Sequence, residues 1–185
     1  MKFFTHDFRL PRILSKSHLR TIWLSFLFMF LFVQSTTAQI YCQEQSMWCW
    51  AACIQSSLFQ ADVYDTQSNI VSRLEGWPRN RPANNSEVIA VLQSYDFRAW
   101  EVRRPASFQE LAATLYEGWK VIAFVNPSRN PQIGHYIMLQ GLTPEGLVVI
   151  SDPSPFNGCQ TYVQSVQDLY RQWNWSASIV VGTPQ

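Results

Sequence analysis

Hydrophobic positions between residues 47 and 60, MWCWAACIQSSLFQ, are dense and uninterrupted by breakers, so this stretch reads as a helix with Ser46 as its N-cap. A second, shorter helix is expected over 65–74, and EGWPRNRPANN (75–85) reads as a loop rich in Pro, Asn and Arg. Asn84 with Glu87 three residues on has capping-box spacing. In the following EVIAVLQSYDF, Val88, Ile89, Val91 and Leu92 share one helical face. Ser107 caps SFQELAATLYEGW, in which Phe108, Leu111, Leu115 and Trp119 are spaced to form a further buried face, with Gly118 near the end.

The period then changes. KVIAFVN (120–126), HYIMLQGL (135–142) and LVVISDP (147–153) are short apolar runs separated by Pro and Gly turns, which predicts strands. Thr143–Gly146 is a tight hairpin turn between the last two. A short helical stretch around VQDLYRQW precedes a final strand, SASIVVG. Helices first and strands after give an α+β domain with a helical half packed on an antiparallel sheet half.

The N-terminal stretch has a different pattern. Lys2, Arg9, Arg12, Lys16 and Arg20 precede the apolar run Ile22–Val33, and QSTTAQ follows with Thr36 and Ala38 placed for signal peptidase. The run is shorter than the roughly 20 apolar residues of a membrane span, and TTAQIYC lacks the small apolar residues expected before a lipidated cysteine. Residues 1–38 are therefore expected to be a secretory signal peptide. Residues 39–185 would then be one domain with no propeptide, secreted or periplasmic, in an oxidising compartment.

The whole chain has 14 Lys and Arg against 13 Asp and Glu, but the leader holds five of the basic residues and only Asp7. The remainder is acidic on balance and has no basic run. That argues against nucleic acid as a partner, and against a membrane once the leader is gone. All four cysteines (42, 49, 53 and 159) lie outside the leader, whereas His135 is the sole histidine that does.

Those residues carry the chemistry. A thiol becomes a good nucleophile at a helix N-terminus beside an imidazolium. Cys49 falls in the first turn of the first helix, Cys53 one turn further in, and Cys42 outside it. His135 begins a strand after a glycine, and Asp152 ends the strand that pairs with it, so the hairpin sets a carboxylate beside the imidazole, where it can fix the ring. Close Cys or His pairs of zinc-site spacing are missing, and no cofactor or metal is implied. Of the pairings open among Cys42, Cys53 and Cys159, Cys42 with Cys159 is favoured because both lie in loops, leaving Cys53 as a core thiol.

Gln43, five intervening residues and then Cys49-Trp50-Ala51 resemble the active-site segment of papain-like cysteine peptidases. With WCWAA, GHY before an apolar run, and VVISDP, the chain is most similar to the compact bacterial members, the bacteriocin-leader-processing and plant-effector types. The resemblance runs from about Gln43 to Val181. It implies the papain-like fold, with Cys49 as nucleophile, His135 as base, Asp152 as orienter and the Gln43 side chain as oxyanion donor. It also implies a peptide or protein substrate and a monomer; an inhibitor protein as partner is neither implied nor excluded. The orienter is Asp where papain has Asn, and no tryptophan follows it. The chain is also shorter than papain, so long substrate-binding loops are expected to be absent.

Alternatives on the same residues are a cell-wall amidase, a transglutaminase-like acyl transferase, and an inactive papain-like binding module. A disulfide-bonded structural module is the remaining one.

Overall fold

The computed structural model describes residues 40–184, apart from 129 and 131–133. The expected signal peptide, residues 1–38, lies outside the described residues.

Among the described residues three helices come first: α1 (Cys49–Phe59), α2 (Gln67–Glu75) and α3 (Asn85–Gln93). The order then runs β1 (Phe97–Val102), α4 (Phe108–Tyr116), β2 (Lys120–Val125), β3 (His135–Leu142), β4 (Val148–Ser151), a 3-10 turn (Pro155–Asn157), β5 (Thr161–Gln164), α5 (Val166–Arg171) and β6 (Ala177–Pro184). The strands form one six-stranded sheet in the order β1-β6-β2-β3-β4-β5, and every neighbouring pair is antiparallel.

The central strands read as unbroken apolar runs because both faces of the sheet are covered. Successive side chains point to opposite faces. Ile122, Tyr136, Met138, Ile179 and Val181 pack with α1, α2 and α3, while Val121, Ala123, Val125, Ile137 and Leu139 pack with Leu111 of α4 and Leu169 of α5. Fully burying one such aliphatic side chain contributes about 1.5–3 kcal/mol.

Four expectations are corrected. Ser46 is not the cap of α1: the helix begins at Cys49 with Trp48 in the cap position and no side-chain cap. Trp48 N–H closes a turn on Gln45 O at 3.1 Å, which leaves Ser46 two residues outside the helix, where its Oγ accepts from Asn80 Nδ2 at 3.0 Å. The third helix stops at Gln93, because Asp96 takes a left-handed φ of 65° and β1 follows at once. Strand β1 interrupts the expected helices-then-strands order, and β5 is a further strand that was not expected. On α4 only Leu111 is fully buried, and Phe108 is 42 % exposed, its ring instead lying near Gly146 of the β3–β4 turn. The expected capping box of Asn84 with Glu87 is present, and the expected cap Ser107 is part of a second capping box, with Glu110.

Candidate active site

Cys49 is the first residue of α1 and nearly buried. The helix's own hydrogen bonding starts with Ala52 N–H to Trp48 O at 3.0 Å, so the N–H groups of residues 49–51 point outward from the positive end of the helix dipole. Two indoles fix this end. Trp48 Nε1 donates to Arg79 O at 2.8 Å and Trp50 Nε1 to Arg81 O at 3.2 Å. They tie the 76–84 loop to the helix start.

The β3–β4 hairpin supplies the next two groups. Met138 stands opposite Ser151, so Asp152, one residue beyond β4, is the diagonal neighbour of His135 on the same side of the sheet. His135 Nε2 lies 2.7 Å from Asp152 Oδ1, which leaves Nδ1 free of that carboxylate, and Cys49 is the other group that acts on the ring. Burial would lower the imidazole pKa, but Asp152 and Cys49 outweigh it and push it up to about 9.

Asp152 is fully buried and accepts from Ser154 N–H at 2.9 Å and Asn157 Nδ2 at 2.6 Å as well. Burial would raise its pKa; His135, Asn157 and the Ser154 N–H together hold it below the ordinary carboxylate value. The imidazole is thus held as an imidazolium between the Asp152 carboxylate and Cys49.

Cys53 is a different kind of cysteine. It is fully buried, its Sγ donates to Tyr136 O at 3.6 Å, and burial, then the charges of Cys49 and Asp152, push its thiol well up. It stays protonated. Cys42 and Cys159 are bridged.

Gln43 sits on an arm just before α1. Its side-chain Nε2 donates to Gln45 O and to Ser46 O, both at 2.9 Å, in the turn that leads to Cys49. Its backbone N–H donates to Pro153 O at 3.0 Å, so the arm lies against the residue after Asp152. Gln67, buried in α2, brackets Gln43: Nε2 donates to Cys42 O at 2.6 Å and Oε1 accepts from Glu44 N–H at 2.9 Å.

A cleft of about 580 Å³ opens on Cys49. Pro82, Ala83 and Asn84 form one wall and Phe124, Gly134 and Tyr136 another. Tyr136 Oη joins the walls, donating to Asn85 Oδ1 at 2.6 Å. Asn157, Gln67 and Tyr136 were not foreseen. PSPFNG is a turn-forming run that could have drawn attention to Asn157, whereas nothing in the sequence marks Gln67.

No protein-family model matches the sequence, and no curated protein matches it significantly. Solved structures do resemble it. The peptidase domain of Streptococcus ComA, a bi-functional ABC transporter involved in quorum sensing, aligns with TM-score 0.59 at 13 % identity, over 80 % of this chain and 99 % of its own. A Bacillus anthracis protein of the C39-like peptidase type gives TM-score 0.59 at 12 % identity, over 82 % and 98 %. A double-glycine-motif protease from an AMS/PCAT transporter, in complex with a leader peptide, gives 0.57 at 16 % identity, over 83 % and 97 %. The likeness shows the fold, which is that of the compact papain-like cysteine peptidases.

Proposed function

We propose that this protein is an exported thiol peptidase. The observation that carries the proposal is His135, bonded to Asp152 at 2.7 Å, with Cys49 the other group that raises the pKa of the same ring. The Cys49 thiolate attacks a peptide carbonyl, and the oxyanion is held by the Cys49 N–H and by Gln43 Nε2, which releases one of its two turn carbonyls to do so. The His135 imidazolium protonates the leaving amine. It then draws a proton from water as the acyl-enzyme is hydrolysed, with Asp152 orienting the ring throughout. A peptide substrate agrees with the fold neighbour whose complex holds a leader peptide. Export rests on the charge and apolar order of residues 1–38.

The test is iodoacetamide labelling of the native protein from pH 4 to 9 with peptide mapping. Fast, single-site labelling of Cys49 well below the free-thiol pKa of about 8.5 is expected, and it should be lost on His135→Ala. Labelling at the rate of an ordinary thiol would leave an inactive papain-like module that binds peptides.

A further inference from the structure

Two segments far apart in sequence meet beside the triad, and a covalent bond joins them. The first is the arm that carries Gln43, bracketed by the buried amide of Gln67. The second is the turn after Asp152. Asn157 donates to Asp152 Oδ2 while Ser154 N–H and His135 Nε2 meet Oδ1, so Asn157 is what fixes the carboxylate from its second oxygen.

The turn closes largely on itself. Asn157 N–H donates to Ser154 O at 3.1 Å, Gly158 N–H to Pro155 O at 3.1 Å and Cys159 N–H to Ser154 O at 3.0 Å. Its tip is open to solvent, with Phe156 95 % exposed. Cys159 holds a left-handed φ of 49°, which few non-glycine residues adopt. The near end of the turn meets the arm through Gln43 N–H and Pro153 O; the far end meets it through the Cys42–Cys159 bridge.

We propose that Asn157 is a positioning residue for Asp152 and that the Cys42–Cys159 bridge holds it in place, so that the site is assembled only when the bridge is closed. This rests on the thiol peptidase reading above. A dithiol reductant opens the bridge by thiolate attack on one sulfur. The mixed disulfide is then resolved by the second thiol, leaving two protein thiols and an oxidised, cyclic reductant. The far end of the turn then keeps only its own backbone bonds and that of Asp152 N–H to Gln160 O at 3.1 Å, and without the tie to the arm the Asn157 amide leaves Oδ2. Asp152 turns about its remaining donors, and the imidazole loses its fixed aim at Cys49. A reducing cytosol therefore keeps the newly made chain nearly silent, and an oxidising compartment completes the site while Cys49 remains a thiol.

The test compares kcat, KM and pH profile for peptide hydrolysis in four states: bridged protein, protein opened with dithiothreitol and verified by thiol count, bridged Asn157→Ala, and opened Asn157→Ala. Opening and Asn157→Ala are each expected to lower kcat on the order of tenfold or more, because misplacement of a catalytic group is costly even over short distances. KM should change little, since the cleft walls are not part of the turn. The alkaline limb should move below the bridged protein's value of about 9. The two changes together should lose no more than either alone.

Full kcat with an unmoved limb in either single state overturns the proposal, as do losses that multiply. Unfolding on opening, seen by circular dichroism, makes the bridge a staple for the fold and also overturns the gating. Absent hydrolysis and ordinary-thiol labelling of Cys49 in bridged wild type sink the peptidase reading itself, a result read before any variant is made.

Discussion

The imidazole of His135 has to hold two partners at once, and its protonation state sets the working range. With its pKa raised to about 9 by Asp152 and Cys49 against the opposing effect of burial, the proton needed by the leaving amine is present through neutral pH and lost above it. Peptide hydrolysis should show an alkaline limb near pH 9. In Asp152→Asn the limb should move down, because the imidazolium loses its carboxylate, and kcat should drop by about 10³–10⁴; an unmoved limb would assign it to another group. Gly134 constrains the same place sterically. A Cβ there would stand 2.1 Å from Phe124 Cζ and 2.3 Å from Cε2. The Phe124 ring, 5.0 Å from that of Tyr136, would have to swing within the cleft wall. Gly134→Ala is expected to raise KM and cost about 1–3 kcal/mol in urea denaturation. Adding Phe124→Leu should restore much of both. Equal KM values in wild type and Gly134→Ala would remove Phe124 from the substrate's path.

Helix caps show which elements the sequence discloses. At α3, Asn84 Oδ1 accepts from Glu87 N–H at 3.0 Å, and Glu87 returns the bond to Asn84 N–H at 2.9 Å while holding Arg81. Asn84→Ala should therefore cost about 1 kcal/mol of stability and loosen the cleft wall, read as a raised KM. Ser46→Ala, an exposed change outside α1, should stay within about 0.5 kcal/mol, whereas a true cap would cost as much as Asn84. Caps with a reciprocal Glu were legible, as were β2 and β3, whose apolar runs reflect burial on both faces. The start of α1 was not, because a tight turn rather than a side chain sets it and leaves Ser46 looking like a cap. Strand β1, FRAWEV, continues the apolar spacing of the helix before it, and only a short turn, Ser94 to the left-handed Asp96, separates them. Strand β5 is a short edge strand with Thr161 and Val163 exposed, too polar to stand out. Cys49, His135 and Asp152 were legible because each is chemically distinctive and the hairpin brings two of them together. Gln67 and Asn157 act through side-chain amide hydrogen bonds, which composition and periodicity do not encode.

The site and the fold also share a titration. His135 and Asp152 join β3 to the end of β4, with Asp152 fully buried and the imidazole largely so. The folded pKa of His135, about 9, lies above its ordinary 6.5, so the folded state binds more protons than the unfolded state between those values. Its contribution to stability is complete below pH 6.5 and is lost as pH rises through about 9. Asp152 runs the other way. Its folded pKa lies below 3.8, so its contribution is present above that value and lost as pH falls through the folded pKa. The pair therefore stabilises the protein fully from about pH 4 to 6.5. Above pH 6.5 stability should fall with a slope approaching about 1.4 kcal/mol per pH unit, the value for one proton. His135 is the one histidine outside residues 1–38, so the difference curve between wild type and His135→Ala, from urea denaturation at a series of pH values, isolates it. That curve should be flat between pH 4 and 6.5 and descend toward pH 9. A difference that grows with pH would mean that the ring is buried neutral, and an imidazole that is neutral at rest cannot hold Cys49 as an ion-paired thiolate.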